Sequence, residues 1–157
     1  MNRFRLATYN IHKGVSGIGP AKRLQIHTLR DGVRALDADL VALQEVRAFN
    51  EHEARRFAKH GWPEQPQADY LAPDGFHAAY RSNAFTDGGE HGNALLSRWP
   101  ILQVAHHDVS DHRLEQRGLL HVIVGAHGHR IHFIVLHLGL IPGSRLRQVG
   151  QVQQFIE

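Results

Sequence analysis

This sequence predicts an α/β fold with a sheet buried between layers, and three observations carry the prediction. Leu40-Val41-Ala42-Leu43-Gln44-Glu45-Val46 is an apolar run bounded by polar turns, the pattern of a strand covered on both faces. Ahead of it, residues 22–36 place Ile26, Leu29, Val33 and Leu36 at steps of three and four, which is one stripe of a helix facing a core. Residues 4–11 alternate like a strand, so the chain opens strand, helix, strand with short connections. That is a βαβ unit, which favours neighbouring parallel strands.

A chain of 157 residues suits one domain over residues 1–157, able to bury about 70% of its unfolded surface. Hydrophobic residues at 42% and charged residues at 21% are ordinary for a soluble protein, so disorder is not the reading. Lys plus Arg number 18 against 15 Asp plus Glu, an excess of 18 − 15 = 3. This permits an anionic substrate but lacks the dense basic stripe of a dedicated nucleic-acid binder. With no Cys there is no disulfide framework, thiolate metal site or cysteine nucleophile. No apolar run approaches a membrane span, and residues 1–6 enter a strand pattern without an apolar signal core, so a cytoplasmic protein is expected. The 14 His are scattered. Only His127, His129 and His132 lie close together, at a hairpin turn without carboxylate or thiolate partners.

The first strand ends in Asn10-Ile11-His12-Lys13-Gly14, and Gly14, Gly17 and Gly19 with Pro20 form a loop that is either the rim of a site or a plain connector. In the next strand Val41, Leu43 and Glu45 are expected on one face. An ionised carboxylate among apolar neighbours costs several kcal/mol unless a cation or hydrogen-bond donors compensate it. Local sequence leaves two readings of Glu45: a ligand of a hard divalent cation, or a solvated residue past the last buried turn, paired with Arg47. Asn10 and Glu45 both stand at the C-terminal ends of parallel strands, where α/β sheets form their ligand crevice.

Asn50 and Glu53 make an N-cap pair for a short charged helix that Gly61 stops. Residues 62–74, with Pro63, Pro66 and Pro73, read as irregular chain. Strands follow at 76–80 and 91–98, with Asp87-Gly88-Gly89 as a turn between them, and another runs from Ile101 towards Val109. Residues 119–124 and 131–138 are two strong strand runs joined by a turn. In the second, Ile131, Phe133, Val135 and His137 share a face, with His137 near the end. Ser144 is the expected N-cap of a last helix carrying Leu146, Val149, Val152 and Ile156, which reaches Glu157 without a stop signal and reads as cut rather than finished.

Taken in order, Ala7-Thr8-Tyr9-Asn10-Ile11, Leu43-Gln44-Glu45-Val46, Gly92-Asn93-Ala94-Leu95-Leu96-Ser97-Arg98-Trp99-Pro100-Ile101, Arg117-Gly118 and Leu136-His137-Leu138 resemble the endonuclease/exonuclease/phosphatase superfamily. The resemblance implies part of a four-layer α/β/β/α sandwich (DNase-like) and phosphate-ester cleavage with Mg²⁺ or Mn²⁺. It implies Glu45 as metal ligand, and Asn10 and His137 as catalytic residues on the phosphoryl oxygens. Asn93, Glu115 and Arg117 become substrate-side candidates, with Glu115 orienting His137. For each, a bland reading stands beside this one: a turn cap for Asn10, a satisfied core ring for His137, and turn or surface roles for Asn93, Glu115 and Arg117. Arg145 and Gln148 are assigned structure only.

The resemblance stops short of the family's later Gly-Asp-x-Asn and Ser-Asp-His motifs. Ser110-Asp111-His112 has the right letters but precedes the Leu136-His137-Leu138 strand, and reads as a chance match in a loop. The expectation is therefore the N-terminal part of such a domain, incomplete at its C-terminus. Its function would be metal-dependent phosphodiester hydrolysis by metal-assisted attack of water on a nucleic acid, phospholipid or inositol phosphate. The alternative is a catalytically incomplete half-domain that binds without cleaving, or one completed by another chain. On that view a sheet face including Ile131, Phe133 and Val135 lacks its partner layer, and an association covers it.

Overall fold

The computed structural model describes residues 3–112 and 115–157. The chain runs β1 (Leu6–Asn10), β2 (Val15–Ser16), β3 (Arg23–Leu24), α1 (Ile26–Ala35), β4 (Leu40–Val46), α2 (Glu51–Phe57), α3 (Gln67–Leu71), β5 (His77–Thr86), β6 (Gly89–Ser97), β7 (Ile101–Asp108), β8 (Gly118–Ala126), β9 (His129–Leu136) and α4 (Pro142–Ile156). One sheet has the order β1-β4-β6-β5 and a second the order β7-β8-β9; β2 and β3 pair as a small ribbon. As the βαβ pattern predicts, β1 and β4 are parallel neighbours, from Leu6 opposite Leu40 to Asn10 opposite Gln44. Every other pairing is antiparallel.

Two apolar layers follow from the period of two in the strands. Val41, Leu43, Ala94 and Leu96 point outward from the first sheet onto Ile26 and Val33 of α1 and Ala68 and Leu71 of α3. Leu40, Ala79 and Leu95 point inward onto Leu120, Val122, Val124 and Val135 of the second sheet. The outer face of the second sheet carries α4, whose Phe155 ring lies 4.4 Å from the His107 ring and 5.3 Å from that of His121. Helix, sheet, sheet, helix is the layering of the DNase-like sandwich.

Several expectations are corrected. Phe133 and Val135 do not lack a partner layer: they pack against the first sheet, because β8 and β9 form a second sheet with β7. The helix after the glycine loop begins at Ile26 rather than at 22, since Arg23 and Leu24 pair with Ser16 and Val15. Residues 62–74 contain α3, a helix of five residues directly after Pro66. The last helix starts at Pro142, where a ring with no N–H fits the first turn; Ser144 lies inside it and donates to Asp111 Oδ2 at 2.6 Å. Asp111 also holds Arg147 Nη2 at 2.7 Å, so Ser110-Asp111-His112 is a structural loop that fastens α4. Asn50 caps α2 as expected, its Oδ1 accepting from the Glu53 N–H at 2.9 Å.

Candidate active site

Glu45 is not on the face of Val41 and Leu43. The ladder between β4 and β6 slips between Leu43 and Val46, and Glu45 has a φ of 55°, a left-handed value that costs a non-glycine residue free energy. This bulge passes the outward apolar position to Val46, which joins the α1–α3 core. Gln44 and Glu45 both turn towards β1's inward residues: Gln44 donates to Thr8 Oγ1 at 3.0 Å, and Glu45 Oε1 accepts from Asn10 Nδ2 at 3.0 Å. Re-aiming one side chain is what a bulge beside a site does.

Around that carboxylate the three predicted residues converge. Asn10 also accepts the His12 N–H on its Oδ1 at 2.9 Å, so its amide is fixed at both ends. His137, just past β9 on the second sheet, holds Nε2 at 3.9 Å from Glu45 Oε1. Two residues that sequence did not single out complete the ring: Lys13 Nζ stands 3.6 Å and His12 Nδ1 3.9 Å from Glu45 Oε2. Arg47 does not pair with Glu45; its nearest carboxylate is Glu53, at 4.0 Å.

Burial acts to raise the Glu45 carboxyl, but the Asn10 hydrogen bond and the charges of Lys13, His137 and His12 outweigh it, and its pKa lies below the ordinary value. His137 is shifted down, first by burial and then by the charge of Arg117. His91 on β6 is pushed down to about 4, by burial and then by Lys13, with Glu45 opposing. At neutral pH the site is thus an ionised carboxylate facing the uncharged rings of His137 and His91 and the ammonium of Lys13.

The substrate-side candidates separate. Asn93 is fully buried, and its Nδ2 donates to the Gly118 carbonyl at 3.0 Å and the Val135 carbonyl at 3.3 Å, bridging the two sheets. Glu115 Oε1 accepts from Arg117 Nη2 at 2.9 Å and from the Leu140 N–H at 3.0 Å. This pair adjoins His137, whose ionisation both charges influence, yet no hydrogen bond joins Glu115 to His137 among the described residues. Gln148 is buried and accepts the Gly139 N–H at 2.8 Å, the structural role expected.

Sequence reading also missed Gln67, because its five-residue helix carries no periodic signal. Its Nε2 donates to the Lys13 carbonyl at 2.8 Å and its Oε1 accepts the Arg47 N–H at 2.9 Å. One buried amide therefore ties the loop after β1 to the chain after β4.

A sequence model of the Endonuclease/Exonuclease/phosphatase family matches residues 7–150. The chain belongs to this family. It is 36% identical over 156 residues to the uncharacterized protein YbhP of Escherichia coli (strain K12), covering 98% of this chain and 60% of that protein. The chain thus spans about 60% of the length of the curated relatives it matches. Among solved structures, the fold is shared with an endonuclease/exonuclease/phosphatase family protein from Leptotrichia buccalis C-1013-b, with a TM-score of 0.63 and 14% identity over 98% of this chain and 63% of that one. It is shared also with D. rerio TDP2 complexed with single strand DNA product, with a TM-score of 0.55 and 17% identity over 83% of this chain and 46% of that one. No helix among the described residues is long and apolar enough to cross a membrane.

Proposed function

We propose that this chain carries the N-terminal part of the catalytic site of a metal-dependent phosphoesterase, cleaving a phosphodiester. The observation that supports it best is the meeting of Asn10, Glu45 and His137, from two sheets, at one half-buried carboxylate. The residues fit a hard divalent cation such as Mg²⁺ or Mn²⁺. Glu45 Oε2 faces Lys13 and His12 at ion-pair rather than hydrogen-bond distance, so that oxygen retains acceptor capacity. Among the described residues no group of three His, Cys, Asp or Glu converges on one point. A single carboxylate is nonetheless enough for Mg²⁺, which keeps several waters and takes further ligands from substrate phosphates.

Glu45 would hold the cation, which when bound supplies positive charge to the phosphoryl oxygens. The chain's own residues do the rest of what this half-site can do. Asn10 orients Glu45 through its amide and so fixes where charge is neutralised. His137, neutral at pH 7 and with its ring edge towards Glu45, is placed to donate a hydrogen bond to a non-bridging oxygen as negative charge develops there. A residue in the role of general base is not apparent among these side chains. That favours either completion of the site by further chain or the alternative of a half-domain that binds a phosphate ester without cleaving it. The substrate class is a phosphate ester, in keeping with a family neighbour crystallised with a DNA product.

Hydrolysis of bis(p-nitrophenyl) phosphate with Mg²⁺ tests the reading. Glu45→Gln is expected to lower the rate roughly 10²- to 10³-fold, the scale of losing one electrostatic contact to a transition state. Equal rates above the uncatalysed background in both proteins would refute the role of Glu45, whereas background rates in both favour the half-domain that binds without cleaving.

A further inference from the structure

His12, Lys13 and Gly14 have φ values of 47°, 62° and 75°, three consecutive residues in left-handed backbone of which only the last is glycine. Such a run persists only where its surroundings over-determine it. Here they do: the Gly14 N–H donates to the Ile11 carbonyl at 2.9 Å, the Gln25 N–H donates to the Gly14 carbonyl at 2.9 Å, and Gln67 holds the Lys13 carbonyl. A Cβ at Gly14 would lie 2.6 Å from the Gln67 amide nitrogen, so the glycine and the clamp are matched to each other. This costly turn delivers the Lys13 ammonium over Glu45.

The ammonium is delivered without being consumed. Lys22 donates a hydrogen bond to the buried Glu53, whereas Lys13 stands 3.6 Å from Glu45, beyond hydrogen-bond length, with 35% of its side chain exposed. The carboxylate it faces lies 3.9 Å through its other oxygen from His137 Nε2 beyond β9, which places the ammonium at the cleft where the two sheets meet. Of the nearby guanidiniums, Arg117 is hydrogen-bonded to Glu115 at 2.9 Å, and Arg47, 4.0 Å from Glu53, is buried with 11% of its side chain exposed. Lys13 is thus the solvent-accessible ammonium of the ring with donors still to place.

We propose that Lys13 is a phosphate-binding residue of this site, held over Glu45 by the left-handed loop that Gln67 anchors. Its three N–H donors supply a point charge to a phosphoryl oxygen of the substrate, as lysine does in other phosphate sites. When no phosphate is bound the same ammonium offsets Glu45, so the carboxylate is never left bare. The substrate class rests on the function proposed above; the placement of Lys13 does not.

Titration of inorganic phosphate, read by ³¹P chemical shift, tests it in two settings: the unchanged protein with Mg²⁺, and Glu45→Gln without any divalent cation. In the second, removal of the carboxylate leaves Lys13 its charge to offer. Lys13→Met is expected to weaken phosphate binding about tenfold or more in both settings, the scale of one charge-assisted hydrogen bond. Lys13→Arg should retain binding within about threefold. If Lys13 were only a counter-ion of Glu45, Lys13→Met would lower Tm and leave phosphate affinity unchanged, and that result overturns the proposal. So does absence of saturable phosphate binding in the metal-free Glu45→Gln protein. If instead Mg²⁺ has no effect in the first setting while the second behaves as expected, the metal role of Glu45 fails and Lys13 stands.

Discussion

On the outer side of the first sheet, α1 and α3 seat Ile26, Val33, Ala68 and Leu71 on Val41, Leu43, Ala94 and Leu96. On the outer side of the second sheet, α4 seats Phe155 on the rings of His107 and His121 and fastens itself through Asp111, Ser144, Arg147 and Gln148. Leu146, Val149 and Ile156 of α4 remain largely exposed. The first outer layer is closed mainly by aliphatic burial, with a ring contact between His27 of α1 and Tyr70 of α3; the second is closed by histidine rings and hydrogen bonds. Backbone strain is found on both sheets: Glu45, His12 and Lys13 adopt left-handed conformations on the first, and His127 does so in the turn between β8 and β9 of the second.

The largest test of this contrast is Leu43→Ala. Leu43 is fully buried in the α1–α3 layer, and its loss is expected to cost about 2–5 kcal/mol, read from urea unfolding. A smaller cost would mean that the first outer layer is not the rigid one.

Asn93→Ala probes the contact between the sheets. It removes the donor shared by the Gly118 and Val135 carbonyls, and leaving buried acceptors short of a partner is expected to cost about 1–3 kcal/mol. The same melts would show the loss.

The mildest effect separates the two outer layers by pH. His121 shares a hydrogen bond with His132, its Nε2 lying 3.1 Å from the partner Nδ1, and burial followed by the charges of His132 and His107 lowers its pKa below 6.5. The unfolded chain therefore binds more protons than the native one between that lowered value and 6.5. The contribution of His121 is fully present above pH 6.5 and is lost as pH falls through its folded pKa. Hydrogen-exchange protection of α4 should fall relative to that of α1 between pH 7.5 and 5.5, and His121→Asn should flatten the difference. Parallel loss in both helices would erase the proposed distinction between the layers.

Much of this was legible in the sequence where the signal is local and periodic. The apolar run at 40–46, the stripe Ile26, Leu29, Val33 and the alternation of 131–138 each depend on neighbours a few residues away, and each became the element expected. Asn10, Glu45 and His137 were legible as strand-end residues carried by family strings, and the fold brings them together. The bulge was not: nothing in Leu43-Gln44-Glu45-Val46 states that two consecutive side chains turn inward, because β6 and Asn10 impose it from afar. Lys13 and Gln67 were invisible for the same reason, since their meeting joins residues 54 apart in sequence. The polar loop at Asp111 looked like a failed motif until α4 supplied its partners.

The two sheets meet face to face at Leu40, Ala79 and Leu95 against Leu120, Val122 and Val135. Glu45 rides on one sheet and His137 follows the last strand of the other, so the 3.9 Å between them spans an interface rather than an element. A slip of one residue along a strand is about 3.4 Å, enough nearly to double that gap. The aliphatic filling between the sheets is therefore a gauge block for the chemistry at its edge. A methyl group added or removed at Leu95 or Val122 would be felt as a change in the spacing between an imidazole and a carboxylate that neither side chain touches.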